Sequence, residues 1–336
     1  MDKKVIFAVA GSGKTTHIIE NLSRNKKSLV VTYTDANYDN LTTKIFRKFN
    51  GEWPDSITLM TYFQFLYRFC YKPFLSDAVE AKGITFEDNR NRYAKQTDLN
   101  YYLSPNGYLY SNRLSLLLER RNVIDNIKNR IERYFDEFII DEIQDIGGRD
   151  FSFLEHIMDA NVSMLFVGDF YQHTYNTSRD GNANANLFEN REAYELRFTK
   201  KGFTSDTNTL INSWRCSGTV CDFISQKLGI NIQSNRGIDD QTEISFVSDS
   251  DEVSSILNNQ KIIKLHYQKS NQYGHGHRNW GDTKGEDCYQ DVCIMLNKGT
   301  AQKYLEEKLH ELPPTTRNKL YVAITRAHGN VYFVME

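Results

Sequence analysis

The stretch FAVAGSGKTTHII, residues 7–19, constrains this chain more than any other, because it sets a glycine-flanked lysine directly after an apolar strand. Small residues let backbone N–H groups turn inward around a phosphate, and the helix that follows directs its positive dipole end at the same anion. Gly11, Gly13 and Lys14 therefore predict a loop that holds a polyphosphate. The usual spacing would place a glycine at Ala8, so the alternative is a glycine-rich turn that binds nothing.

A second segment, FIIDEIQDI at residues 138–146, ends an apolar strand in two adjacent carboxylates. Asp141 is predicted to hold Mg²⁺, with the hydroxyl of Thr15 as a further ligand. Glu142 is predicted to orient and deprotonate the water that attacks the γ-phosphate. The loop and the two acids together predict hydrolysis of a nucleoside triphosphate.

Short apolar runs recur at the spacing of strands that alternate with helices, in two series. They are VIFAV, SLVVTYT, SITLMTY, EFIIDE and MLFVGD, followed by TEISFV, KIIKLHYQ, DVCIML and NVYFVM. Such nearly continuous apolar strands are typical of parallel sheets that helices cover on both faces. We predict an α/β fold of two lobes, residues 1–204 and 205–336, joined near a polar loop at residues 198–212.

The first lobe is predicted to carry a small helical insertion at about residues 70–134. Its end, residues 114–135, places Leu117, Ile124, Ile127 and Ile131 at the period of one continuous helix. The basic residues of this helix are predicted to form its solvated face, and a nucleic-acid surface is the alternative. They are Arg120, Arg121, Lys128, Arg130 and Arg133.

Composition excludes several classes of protein. No apolar run approaches the roughly 20 residues that span a bilayer, and we expect a cytoplasmic protein with no membrane partner. The formal net charge of −2 argues against a globally basic binder and leaves room for a local basic groove. The five cysteines lack the close pairs of zinc sites and are expected to be reduced and buried. His275 and His277 are expected to be polar loop residues, so the sequence implies no metal beyond Mg²⁺.

Four further segments follow in order: LFVGDFYQHTY, NSWRCS, TKGEDCYQDV and LYVAITRA. Hydrolysis of a nucleotide builds negative charge on the γ-phosphate, which arginines from a second lobe can stabilise. Arg215, beside the aromatic Trp214, and Arg326 are the candidates.

This ordered set resembles the UvrD/Rep-like superfamily 1 helicases, over nearly the whole chain from AVAGSGKTT to YVAITRA. TYTDANYDNLTTKI is similar to motif Ia of that family, and TLMTYFQF is similar to motif Ib. The resemblance implies two RecA-like P-loop lobes, with ATP and Mg²⁺ as cofactors. The implied catalytic residues are Lys14, Glu142, Gln172, Arg215 and Arg326. The implied nucleotide-binding residues are Ala10, Gly11, Ser12, Gly13, Lys14, Thr15, Thr16, Trp214, Gly285 and Glu286. Single-stranded DNA would meet Tyr33, Thr61, Tyr62 and Tyr175.

The chain also departs from that family. Only thirteen residues precede Lys14, too few for the family's adenine-reading glutamine. Thr177 replaces an expected aromatic, and the residue usual between Gly285 and Glu286 is missing. The segment between Arg215 and Gly285 has no room for the family's large accessory insertion. We therefore expect an intact motor with a reduced ability to split duplexes.

Two functions follow. The first is an ATP-dependent motor that moves along single-stranded DNA, with RNA as the alternative strand. It hydrolyses ATP at the cleft between the two lobes. The second is an ATP-gated nucleic-acid sensor that controls a partner effector such as a nuclease. A small-molecule kinase is a weaker alternative, because it leaves the paired arginines unexplained.

Overall fold

A computed structural model describes residues 1–89, 93–174, 182–237 and 240–336. The chain divides into two compact units. The first unit comprises Met1–Ile6, Thr15–Val167 and Asn176–Asp206. The second unit comprises Phe7–Lys14, Gly168–Tyr175 and Thr207–Glu336. The predicted lobe bounds, 1–204 and 205–336, stay a prediction.

Within the described residues, the first unit is built on a six-stranded parallel sheet in the order β3-β2-β6-β7-β1-β8, and β4 pairs with β5 separately. The strands are β1 Lys3–Phe7, β2 Ser28–Thr32, β3 Ile57–Thr61, β4 Gly83–Thr85, β5 Tyr108–Tyr110, β6 Glu137–Asp141, β7 Ser163–Gly168 and β8 Thr204–Asp206. β2 and β6 are buried along their whole length, as expected for strands covered on both faces.

Helices and short turns connect these strands. The α-helices are α1 Lys14–Asn21, α2 Asp35–Lys48, α3 Tyr62–Gln64, α4 Lys72–Leu75, α5 Leu99–Tyr102, α6 Leu114–Arg120, α7 Ile124–Tyr134, α8 Gly148–Ile157 and α9 Arg191–Thr199. A π-helical segment, Phe65–Tyr71, joins α3 to α4, and 3₁₀ turns lie at Ser111–Arg113, Ile143–Asp145 and Phe170–Gln172. Aromatic rings fill the core, where Phe166 contacts Phe138 and Phe198 edge-on.

In the described part of the second unit, a five-stranded parallel sheet runs in the order β11-β15-β14-β12-β13, and β9 pairs with β10. The strands are β9 Asn212–Ser213, β10 Gln233–Ser234, β11 Ile244–Val247, β12 Ile263–His266, β13 His277–Asn279, β14 Val292–Leu296 and β15 Val331–Met335. The helical segments are α10 Gly218–Phe223, the π-helical Ile224–Leu228, α11 Ser250–Asn258, α12 Lys298–Leu305 and α13 Pro314–Ile324, with 3₁₀ turns at Ser270–Gln272, Gly281–Thr283 and Leu309–Glu311.

The predicted fold class is confirmed, since every predicted strand forms and both large sheets are parallel. The loop predicted at residues 198–212 is partly wrong, because β8 forms there as an edge strand beside β1. Cys288 is exposed, against the expectation of buried thiols, and the other four cysteines are buried. His277 lies in β13, where its ring nitrogen contacts His266 at 2.9 Å. Across the described ranges, no helix is both long and apolar enough to cross a membrane.

The single helix predicted at residues 114–135 is also wrong, because the structure breaks it into α6 and α7. Asn122 adopts a left-handed backbone conformation at the break, with a φ of 55°. Leu117, Ile127 and Ile131 are nevertheless buried, so both helices keep the predicted apolar positions in the core. The apolar positions therefore stay in the core on both sides of the break, which spans residues 121–123.

This break generates a prediction about stability. Asn122→Val should lower the free energy of unfolding by about 1–2 kcal/mol, because a β-branched side chain is strained in the left-handed region. Arg121→Val is the matched control, since Arg121 is the exposed neighbour with an ordinary φ of −87°. Thermal unfolding of both variants measures the difference. Equal melting temperatures would mean that the helix break does not depend on residue 122.

Candidate nucleotide and nucleic-acid site

The predicted phosphate loop follows β1 and leads into α1. Gly11 and Gly13 both have positive φ, at 70° and 86°, a conformation that glycine adopts without strain. Lys14 begins α1 and is 9% exposed. The Ser12 hydroxyl donates to the carbonyl of Val9 at 2.8 Å, which closes the loop on itself. The loop thus has the backbone conformation and the helix N-terminus that an anion site needs.

Gly11 packs directly against the segment that carries Trp214 and Arg215. A Cβ at Gly11 would lie 2.7 Å from both the Cβ of Arg215 and the hydroxyl of Ser213. The backbone N–H of Trp214 donates to the Gly11 carbonyl at 2.9 Å. Within the second unit, the structure therefore brings the phosphate loop together with the predicted arginine and its aromatic neighbour.

A buried tyrosine of α13 connects the same loop to Asp169, the residue that follows β7. The Tyr321 hydroxyl accepts the N–H of Ala10 at 2.9 Å and donates to the Asp169 carboxylate at 2.9 Å. The other oxygen of Asp169 accepts the Tyr171 N–H at 3.1 Å. Burial and the nearby Asp169 charge raise the pKa of Tyr321, so its hydroxyl keeps its proton and remains a donor. Gln172, 4% exposed, ends the 3₁₀ turn that follows Asp169.

Arg215 is held by side-chain and backbone acceptors. Its Nε donates to Asp287 at 2.5 Å and its Nη1 donates to the Thr325 carbonyl at 3.1 Å. Burial opposes ionisation of Asp287, but the hydrogen bonds and charges of Arg215 and His328 outweigh it and lower the pKa of that carboxyl. Asp287 therefore stays charged and fixes the guanidinium of Arg215.

Arg326 is buried at 1% exposure and bonds to backbone rather than to an acid. It donates to the carbonyls of Val322, Thr283 and Glu286 at 3.1, 3.3 and 2.8 Å. Burial, with the nearby charge of Arg215, lowers its pKa to about 10, which still leaves it protonated at neutral pH. In this structure Arg326 stabilises the Thr283–Glu286 turn.

Three further residues of the second unit are predicted to contact the nucleotide: Trp214, Gly285 and Glu286. Trp214 is 68% exposed, so its indole ring is available for stacking. Gly285 has a φ of 86°, a conformation that a side chain would strain. The Glu286 carboxylate accepts a hydrogen bond from the Tyr289 hydroxyl.

The predicted catalytic acids lie in the first unit, at the carboxyl end of β6. Asp141 is the last residue of β6 and is 2% exposed. Glu142 has φ of 58° and ψ of 49°, a left-handed conformation that is rare outside glycine and concentrates at functional sites. The Gln144 amide donates to the Glu142 carboxylate at 2.5 Å. This hydrogen bond orients the carboxylate that is predicted to activate water.

The two residues predicted to hold Mg²⁺ have the oxygen chemistry that this ion prefers. Thr15 and Asp141 offer a hydroxyl and a carboxylate, the hard oxygen ligands that Mg²⁺ prefers. Among the described residues, no group of three or more His, Cys, Asp or Glu side chains could hold a metal. Mg²⁺ commonly binds through one or two protein oxygens together with substrate phosphates and water, so it needs few protein ligands.

The predicted DNA-contacting residues of the first unit sit at two strand-to-helix junctions. Thr34 caps α2 after β2, and Thr61 forms a capping box with Gln64 after β3. The caps position Tyr33 and Tyr62, whose rings stack with centroids 5.9 Å apart. Tyr62 is 2% exposed, and it therefore supports the Tyr33 ring instead of presenting its own face. The prediction for Tyr175 lies outside the described residues.

Three hydrogen-bond partners of candidate residues were not predicted from the sequence: Gln144 in the first unit, and Asp287 and Tyr321 in the second. Gln144 follows Glu142 by two residues, so its proximity to the acid was a usable signal. Tyr321 and Asp169 are 152 residues apart, and nothing in the local pattern of either segment points to the other.

The close approach at Gly11 generates a prediction. Gly11→Ala should lower the free energy of unfolding by roughly 2 kcal/mol or more, because the methyl group meets Arg215 and Ser213 and φ is positive. Gly218→Ala is the matched control, since a Cβ there meets nothing within 4 Å. Thermal unfolding without added nucleotide measures both. A Gly11→Ala protein as stable as the control would contradict the packing described here.

The chain is similar to one protein family and to solved structures. The family model described as "AAA domain" (AAA_19) matches residues 2–178. The comparison with curated proteins finds no match. The structure of arterivirus nonstructural protein 10 (helicase) with DNA is similar, with a TM-score of 0.52 and 14% identity over 99% of this chain and 60% of that chain. A second structure of that arterivirus helicase gives a TM-score of 0.51 and 14% identity over 99% and 59%.

The chain thus spans about 60% of the length of these helicase chains. At this level of identity the likeness concerns the fold alone. Together with the family match, it confirms the predicted resemblance to superfamily 1 helicases. The family model covers more than half of the chain. The chain therefore belongs to the AAA domain family, and its fold is similar to that of the arterivirus helicase.

Proposed function

We propose that this protein is a nucleic-acid-stimulated ATPase that moves along single-stranded DNA. The observation that carries the proposal is the phosphate loop, in which Gly11 and Gly13 have positive φ and Lys14 opens a helix. Inward-facing N–H groups and a helix N-terminus suit the β- and γ-phosphates of ATP. The nucleotide would meet residues Ala10 to Thr16, with Trp214 as a stacking surface and Gly285 and Glu286 near the sugar.

Two side chains would act on the phosphate that is transferred. Lys14 supplies a point charge to the γ-phosphate, and Glu142 accepts a proton from the attacking water. The bond from Gln144 holds the Glu142 carboxylate in one orientation, which favours a single position for that water. Gln172 would sense the γ-phosphate, and Arg215 and Arg326 would stabilise its developing charge.

Thr15 and Asp141 would hold Mg²⁺ with the phosphates. When bound, the ion neutralises charge on the phosphate oxygens. Arg215 is fixed by Asp287, so its guanidinium is oriented before any nucleotide arrives. Nε and Nη1 of Arg326 donate to backbone carbonyls, so its Nη2 group, which contacts the Thr325 hydroxyl at 3.5 Å, would be the donor that turns to a phosphate oxygen.

The single strand would lie across the ends of β2 and β3, where Thr61 pairs with Thr32, the residue before Tyr33. Stacking of bases on aromatic rings is independent of sequence, which suits a protein that moves along a strand. The related fold of the arterivirus helicase, solved with DNA, supports nucleic acid as the partner.

Catalysis generates a prediction. Glu142→Gln should abolish ATP hydrolysis while ATP still binds, because Asp141 and the phosphate loop remain; Lys14→Ala should also abolish hydrolysis. Glu52→Gln is the control, since Glu52 is a carboxylate on the surface paired with Arg24. Steady-state phosphate release and nucleotide titration measure the two effects. Near-normal turnover in Glu142→Gln would remove this residue as the base.

The proposed motor generates a further prediction. ATP hydrolysis should rise with single-stranded DNA and fall as salt screens the phosphate contacts. Unwinding of long duplexes should be poor, because residues 216–237 and 240–284 build helices and strands of the second unit itself. The measurements are ATPase assays with single-stranded DNA, single-stranded RNA and duplex DNA, beside strand displacement on tailed duplexes.

These assays also separate the proposal from its alternative. Processive unwinding of long duplex by this chain alone would contradict a reduced motor. ATP binding without stimulation by any nucleic acid would favour the ATP-gated sensor that controls a partner effector.

A further inference from the structure

A cavity of about 540 Å³ opens beside the Tyr33 ring in the first unit. Three further rings line it: Phe63, Tyr67 and Phe86. Phe63 lies edge-on to both Phe86 and Tyr33, with centroids 4.9 and 5.7 Å apart. The volume falls in the range of about 300–1,000 Å³ that small-molecule sites in proteins usually have. We call it the aromatic pocket.

Phe86 is the unusual member of the aromatic pocket. It follows β4, in the segment between β3 and β6 that no predicted motif covers. Its side chain is 70% exposed, although a phenylalanine gains free energy from burial. The edge-on contact with Phe63 leaves a face of the Phe86 ring open. An exposed ring at the edge of an aromatic cavity offers a surface on which a planar ligand can stack.

The charges around the aromatic pocket limit its occupant. Asp35 and Arg68 line it, so one carboxylate and one guanidinium face the same space. An acid disfavours a phosphate or another anion inside the pocket, while a neutral planar ring can stack on the aromatic walls. Arg68 is exposed and would suit a phosphate at the rim. Together these groups suit one base of a nucleic-acid strand, with its backbone outside.

We infer that the aromatic pocket receives an unstacked base of the single strand, with Phe86 as a stacking surface. This inference rests on the proposed function and extends the proposed strand contact from Tyr33 to a part of the chain that carries no helicase motif. The pocket adjoins Thr61 and Tyr33, so a strand at those residues reaches it without a break. The exposed Phe86 would then lose its contact with water only when a strand is bound.

The test distinguishes contacts with the bases of a strand from contacts with its phosphates. Wild-type protein, Phe86→Ala and Phe86→Trp are titrated against a labelled thymidine homopolymer and an abasic strand of the same length, followed by fluorescence anisotropy. The Phe86→Ala protein should bind the homopolymer at least about five- to tenfold more weakly than the wild type, because it loses the stacking of one base. Binding of the abasic strand should stay unchanged, and Phe86→Trp should retain wild-type affinity. Tyr134→Ala is the control, since Tyr134 is an aromatic residue on α7 with 47% exposure.

Each other outcome overturns the inference. Equal weakening on both strands would make Phe86 a structural residue or a phosphate contact, and no weakening on either would leave the pocket without a role in strand binding. Loss of binding to free ATP, with strand binding intact, would assign the pocket to a mononucleotide. If the wild-type protein binds neither strand, the proposed function itself fails, which distinguishes that result from failure of the inference.

Discussion

The packing of the second unit's candidate site depends on the missing side chain of Gly11. Its Cα approaches the Ser213–Arg215 segment so closely that any Cβ would overlap it. That segment cannot retreat easily, because the Ser213 hydroxyl accepts the N–H groups of Arg215 and Cys216 at 3.3 and 3.0 Å. The same glycine provides the positive φ that turns the loop. One residue therefore sets both the shape of the loop and the position of the arginine beside it.

A second constraint is the polar chain from Ala10 through Tyr321 to Asp169. All of its members are buried, and an unpaired polar group there would cost about 1–3 kcal/mol. In such a weakly polar interior each bond is electrostatically stronger than it is at the surface. A phosphate oxygen that takes the Ala10 N–H must replace the Tyr321 hydroxyl. Nucleotide binding at this amide would therefore act on α13, the helix that precedes Arg326.

Much of the fold could be predicted from the sequence, because its buried parallel strands are short apolar runs rich in β-branched and aromatic residues, and this length and composition distinguish strands from helices. The exceptions have local physical causes. β8 has the sequence Thr-Ser-Asp, which carries no apolar signal, and it forms because β1 offers an unpaired edge. The break at Asn122 depends on one backbone conformation, whereas the apolar period on either side continues as if the helix were intact. The charge of Arg326 suggests an exposed side chain, yet Arg326 is buried, because backbone carbonyls accept its hydrogen bonds.

The sequence by itself determined the α/β class, the phosphate loop and the adjacent acids, because each depends on residues that are neighbours along the chain. Only the tertiary structure decided which side chains meet across long separations. The bond between Ala10 and Tyr321 joins residues 311 positions apart, and Phe86 reaches Phe63 from a segment with no motif. Likewise, Tyr62 is buried and Trp214 is exposed because of how the chain packs around each of them. Their residue types alone do not predict this difference. Such contacts arise from the path of the folded chain, which local patterns of polarity and spacing do not encode.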